Sequence, residues 1–145
     1  AQHASTLGLH AHVVRDANAA LADCPLVVTC TPASGVVLAA PPRADAFIAA
    51  GGAFTPSMVE LGPQLCRHVA ELGTIIVDTA DAVHEAGDLL QAGLPVHEFA
   101  TLRDVVNGVE GGHRPRAAGP VLFKSCGWAG WDLAAARCAL GAARP

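Results

Sequence analysis

Leu26-Val27-Val28-Thr29-Cys30-Thr31 decides the fold. The run is uncharged, follows Pro25 and closes on Pro32. An unbroken apolar and β-branched run of this length, without polar alternation, predicts a strand buried on both faces, as in a parallel sheet under helices. Thr31-Pro32-Ala33-Ser34-Gly35, directly after it, predicts a turn. Outward from this run the same signal recurs. Ala46-Phe47-Ile48-Ala49-Ala50 runs into Gly51-Gly52, Thr74-Ile75-Ile76-Val77-Asp78 is the clearest strand, and Val121-Leu122-Phe123-Lys124 is the last. Leu9-His10-Ala11-His12-Val13-Val14 alternates in part and predicts a further short strand. Val36-Val37-Leu38 is a brief strand or a packed loop.

Helical signals lie between these runs. Asp16 is placed to cap a short helix through Leu21. Thr55-Pro56-Ser57 has the form of a helix start, with Thr55 as cap and Pro56 at the first helical position. Residues 64–72 predict a better helix, ended by Gly73, and residues 81–90 a helix around Gly87. A short helix over 102–106 precedes a Gly/Arg/Pro loop over 107–119. Residues 128–140 form a long Ala-rich helix with Arg137 near its C-terminal end. Residues 1–7 resemble the tail of a helix, and the chain opens on Ala1, so it is expected to be a piece of a longer protein.

Alternating strands and helices predict an α/β domain with a mostly parallel sheet. Ligands of such sheets bind beyond the carboxyl ends of the strands. The loops after Thr31, Ala50 and Lys124 are therefore the candidate binding edge. The sequence contains no G-x-G-x-x-G, the turn that seats a pyrophosphate on a helix N-terminus. The expected fold is thus a partial Rossmann-like domain that lacks the first glycine-rich β-α unit.

Bulk properties narrow the function classes. The chain has 145 residues, enough for one domain with a core, and 52% of them are hydrophobic. A net charge of -4 excludes a basic footprint for nucleic acid. No apolar run approaches the roughly 18 residues of a membrane span. Cys24, Cys30, Cys66, Cys126 and Cys138 show no CxxC spacing and are odd in number, which predicts reduced, buried thiols of a cytoplasmic protein. His10 and His12 share a face of the predicted strand, but no Cys or carboxylate accompanies them in a ligand pattern, so no metal site is expected.

Four stretches, taken in order, resemble the ornithine cyclodeaminase/mu-crystallin family. Cys24-Pro25-Leu26-Val27-Val28-Thr29-Cys30-Thr31-Pro32 is similar to the family's A-D-I-V-V-T-A-T-P strand. Val77-Asp78 followed by Glu85-Ala86-Gly87-Asp88-Leu89 resembles V-D-…-E-A-G-D-L. Phe123-Lys124-Ser125-x-Gly127 with Asp132-Leu133-Ala134 resembles F-K-S-x-G-…-D-L-A. Gly52-Ala53-Phe54-Thr55-Pro56-Ser57-Met58-Val59-Glu60-Leu61 stands where the cyclodeaminases read G-A-D-x-P-x-K-x-E-L. The likeness runs from about Leu9 to the last helix.

The resemblance implies a nicotinamide cofactor, NADPH or NADH, and a division into residues 1–127, a partial cofactor-binding domain, and residues 128–145, a helix returning toward a substrate and dimerisation domain. It implies that Thr31, Gly52, Ala53 and Ser125 line the cofactor, and that Phe54 and Cys126 face the substrate. The cyclodeaminases' catalytic aspartate is here Phe54, and their lysine is Met58. A phenyl ring cannot transfer a proton, and loss of such a group costs about 10²–10⁴-fold. The pattern with Phe54 is instead similar to reductases of cyclic imino acids, Δ1-pyrroline-2-carboxylate and Δ1-piperideine-2-carboxylate, in which hydride adds to a preformed C=N bond. The carboxylate clamp is then expected outside this chain, and the parent protein is expected to be a homodimer. Cyclodeaminase activity through another carboxylate, and non-catalytic cofactor binding as in mu-crystallin-like proteins, stay open as alternatives. From the residues alone, Phe54 also fits a core aromatic, Ser125 a cap of the last helix, Lys124 a solvated strand-end charge, and Asp78 either a cofactor contact or a cap of the next helix.

Overall fold

A computed structural model describes residues 2–32, 35–108 and 118–142 of the chain. The predicted turn at Ala33-Ser34 and most of the loop over 107–119 lie outside these residues. Five strands form one sheet: β1 Leu26–Thr29, β2 Phe47–Ala50, β3 Thr74–Val77, β4 Ala100–Thr101 and β5 Val121–Lys124. Their order is β1-β2-β5-β3-β4, and every pairing is parallel. The last strand in sequence is thus the central one in space. The helices are α1 Gln2–Thr6, α2 Ala17–Leu21, α3 Pro63–Leu72, α4 Ala82–Glu85, α5 Gly87–Gln91, α6 Leu102–Asn107 and α7 Ala129–Ala142.

Parallel register puts Val27, Ile48, Leu122 and Ile75 side by side, with Thr29, Ala50, Lys124 and Val77 as the next row. Side chains alternate across a strand, so both rows lie on one face. Ile48, Ala50, Leu122, Ile75 and Val77 of that face pack with Leu65, Cys66 and Val69 of α3 and Leu89 of α5 into the core. Gly73 ends α3 with a φ of -133°, outside the left-handed region expected of a terminating glycine. It serves close approach instead, because a Cβ there would lie 1.9 Å from the carbonyl oxygen of Pro120. Asp16 caps α2 as predicted, accepting from the N–H groups of Asn18 and Ala19.

Three sequence expectations are corrected. Strand β1 is not buried on both faces. It pairs only with β2 among the described strands, and Leu26 and Val28 are 75% and 73% exposed. Its inner face is covered, with Thr29 buried and Val27 packed against the core, while the outer one is open. Residues 9–14 are not a strand but exposed coil, with no described strand beside them to complete a hydrogen-bond ladder. Thr55-Pro56-Ser57 is a turn rather than a helix start. The N–H groups of Glu60 and Leu61 are taken by the carboxylate of Asp88, so the backbone leaves the helical path.

Candidate functional site

All strands being parallel, the loops after β1, β2, β3 and β5 emerge at one edge of the sheet. Thr31, Gly52, Phe54, Ser125 and Cys126 all stand on these loops. Two buried carboxylates gather them. Glu60, without accessible surface, accepts through Oε1 from the N–H of Thr31 at 2.6 Å and its hydroxyl at 2.8 Å. Through Oε2 it accepts from the Thr29 hydroxyl and from the Gly52 N–H, both at 2.8 Å. One side chain therefore ties the loop after β1 to the loop after β2. Asp78, also buried, accepts through Oδ2 from the Ser125 hydroxyl at 3.1 Å and from the N–H groups of Cys126 and Gly127 at 2.6 and 2.8 Å. It holds the loop after β5.

Behind Glu60 lies an ion pair. Lys124 and Asp88 are both without accessible surface, and Lys124 Nζ stands 2.9 Å from Asp88 Oδ2. Lys124 also donates to the carbonyl of Ala53. Asp88 Oδ1 accepts from the N–H groups of Glu60 and Leu61 at 2.6 and 2.8 Å. A buried charge needs a partner, and Asp88 Oδ2 has the Lys124 ammonium as its counter-charge, although that contact lacks hydrogen-bond geometry and only Oδ1 is satisfied by hydrogen bonds. Lys124 is therefore not a solvated strand-end charge. Likewise Ser125 does not cap α7, and Asp78 braces the loop after β5 rather than capping α4.

The environment sets the ionisation of these groups. Burial pushes the Glu60 carboxyl up, but donation from Thr31, Thr29 and Gly52 outweighs it and leaves the pKa below its ordinary value of 4.5. A depressed carboxyl stabilises the fold above its ordinary pKa, and that contribution is lost as pH falls through the lower, folded-state value. Acid melting of the wild type should therefore steepen below about pH 4, and Glu60→Gln should flatten that slope while lowering stability at neutral pH. Thermal melts at stepped pH check both. Burial pushes the Cys126 thiol up to about 12. At pH 8 its thiolate is on the order of one part in ten thousand, so alkylation by iodoacetamide should run at least about a hundred-fold slower than for a free thiol. Cys66 is buried and Cys126 partly so, but Cys24, Cys30 and Cys138 are exposed, against the expectation of buried thiols.

The predicted site residues separate by access. Thr31, Gly52, Ser125 and Cys126 are partly buried, and Ala53 is fully buried. Phe54 is 53% exposed and so is not a core aromatic. A Cβ at Gly52 would lie 2.2 Å from the Thr31 carbonyl oxygen and 2.3 Å from Glu60 Oε1, so only glycine fits between these loops. A cavity of about 800 Å³ is lined by Asp78, Thr101, Arg103, Trp128 and Trp131 among others. Thr31, Gly52, Phe54 and Ser125 do not line it. Among the described residues no group of three or more His, Cys, Asp or Glu side chains could hold a metal ion. No described helix is long and apolar enough to cross a membrane.

Glu60, Asp88 and Lys124 bring all four of the stretches singled out in the sequence into contact. Residues 1–143 match the model of the ornithine cyclodeaminase/mu-crystallin family. The chain belongs to that family. Over 114 residues this family member is 37% identical to Delta(1)-pyrroline-2-carboxylate reductase 1 of Burkholderia multivorans, a match covering 79% of this chain and 34% of that protein. It is 38% identical to the Delta(1)-pyrroline-2-carboxylate/Delta(1)-piperideine-2-carboxylate reductase of Azospirillum brasilense, with the same coverage. The chain thus spans about a third of the length of these curated relatives. Its fold is similar to an archaeal alanine dehydrogenase dimer with bound NAD, at a TM-score of 0.77 and 25% identity, covering 94% of this chain and 42% of that one.

Proposed function

We propose that the complete protein reduces cyclic α-imino acids, Δ1-pyrroline-2-carboxylate and Δ1-piperideine-2-carboxylate, to proline and pipecolate with NADPH or NADH. The observation that carries this is Phe54, exposed at the carboxyl edge of the sheet where the family's cyclodeaminases place an aspartate. The Burkholderia and Azospirillum relatives bear the names of such reductases. Ammonia release would need a carboxylate to move protons. The two buried carboxylates nearest these loops, Glu60 and Asp78, are each saturated by inward hydrogen bonds.

The residues fit the nicotinamide end of a dinucleotide. They stand together at the carboxyl edge of the sheet, where such sheets bind ligands, and their side chains are uncharged. They do not supply a pyrophosphate seat, since no described strand leads through a glycine-rich turn into a helix. Bound there, the cofactor supplies a hydride to the imine carbon while the imine nitrogen carries a proton. Thr31, Gly52 and Ser125 would line it, with Ala53 as the buried backing. Phe54 would give the imine an apolar wall that excludes water, and Cys126, held as a neutral thiol, would face the substrate without acting as nucleophile. Helix α7, with no buried residue, would dock on a further domain, and the complete protein would be a homodimer. Incubation of the complete protein with Δ1-pyrroline-2-carboxylate and cofactor deuterated at the transferring carbon should yield proline labelled at the former imine carbon. Unlabelled product, or ammonia from ornithine with no proline from the imine, would overturn the proposal.

A further inference from the structure

We propose that Glu60 and Lys124 are positioning residues that hold the Gly52-Ala53 unit from beneath and so set where Phe54 stands. The proposal rests on the reductase reading, in which Phe54 walls the substrate. Glu60 Oε2 takes the N–H at the start of the unit, at 2.8 Å, and Lys124 Nζ takes the carbonyl at its end. The torsions between these two bonds have little freedom. Gly52 has no room for a side chain, and Ala53 has no accessible surface. The next residue is Phe54, 53% exposed, so a fixed backbone delivers a free ring.

Asp88 makes the two holds one device. Its Oδ2 neutralises Lys124, and its Oδ1 fixes the backbone of Glu60 and Leu61. A buried ion pair is a weak source of net stability compared with apolar residues of the same volume. What the pair does here is geometric. Its ammonium is aimed at one carbonyl, and its carboxylate orients the residue that clamps the neighbouring N–H. Reaching the same loop from two sides requires a long cation and an acid in the core, which apolar residues cannot replace.

The test uses the complete protein and two variants. Glu60→Gln leaves one oxygen where there were two, so either Gly52 or Thr31 loses its acceptor. The Asp88→Asn/Lys124→Met pair removes both charges together, keeps an oxygen for the Glu60 and Leu61 N–H groups, and removes the donor to Ala53. Amide hydrogen exchange over residues 51–55 should speed up by about ten-fold while β3 and β5 stay protected. KM for Δ1-pyrroline-2-carboxylate should rise on the order of ten-fold with kcat changed less than about three-fold. In a Phe54→Ala background the same substitutions should raise KM by less than about two-fold, because they act through that ring. The proposal is overturned if exchange over 51–55 is unchanged, if kcat alone falls as it would from a smaller folded fraction, if the KM effects add in full, or if both variants fail to fold. Should the wild type reduce no cyclic imine, the reductase reading fails instead, and hydrogen exchange alone decides whether the two residues hold the loop.

Discussion

Lys124→Met should destabilise the protein by about 3–5 kcal/mol, the largest effect expected of any single substitution in this chain. Methionine matches the length of lysine and keeps the apolar contacts of the stem. The substitution removes only the ammonium, and with it the partner of Asp88 and the donor to Ala53. Asp88 is then a carboxylate with no accessible surface and no counter-charge. It must take up a proton or draw in water, and either disturbs the N–H groups of Glu60 and Leu61 that it holds. Adding Asp88→Asn should recover most of the loss, since the neutral pair buries no charge. Chemical denaturation of the two single variants and the double variant measures this. A single variant as stable as wild type would mean that water reaches the pair.

Phe54→Asp is expected to change activity most. The ring is exposed, so the substitution should leave stability within about 0.5 kcal/mol. It places a negative charge where the proposed substrate brings its own carboxylate, and it removes the apolar wall. Reduction of Δ1-pyrroline-2-carboxylate should fall by about 10²-fold or more, and ammonia release from ornithine should rise, because a proton-transfer group then stands at the edge. Steady-state assays of both reactions on one preparation check the two signs. Unchanged imine reduction would place Phe54 away from the substrate.

Much of the fold was legible because strands β3 and β5 and the core helix α3 carry signals that need only near neighbours. Thr74–Val77 is β-branched throughout and Val121–Phe123 is apolar, and each strand has a neighbour on both sides. Residues 9–14 alternate in part and end on Val13-Val14 but have no partner among the described strands, and a strand-like pattern alone does not create a ladder. Thr55-Pro56 has the chemistry of a helix start, yet Asp88, distant in sequence, captures the N–H groups that a helix would have used. The same distance hid the site's scaffold. Lys124 ends a strand and resembles a surface charge until α5 brings Asp88 to it. A signal was present for Glu60 and Lys124, each a lone charge following apolar residues, as buried and paired charges tend to be, whereas Asp88 follows Glu85 closely and looks like part of a polar helix start. The central place of β5 was not legible, because strand order depends on crossovers rather than on the strand's own residues.

Loss of nicotinamide absorbance, followed with the complete protein, NADPH or NADH, and Δ1-pyrroline-2-carboxylate, tests the proposed reaction most directly. Rapid oxidation that depends on the imine, with no ammonia formed from ornithine and NAD, is the expected result. No oxidation with either cofactor, or ornithine cyclisation at a comparable rate, would contradict it.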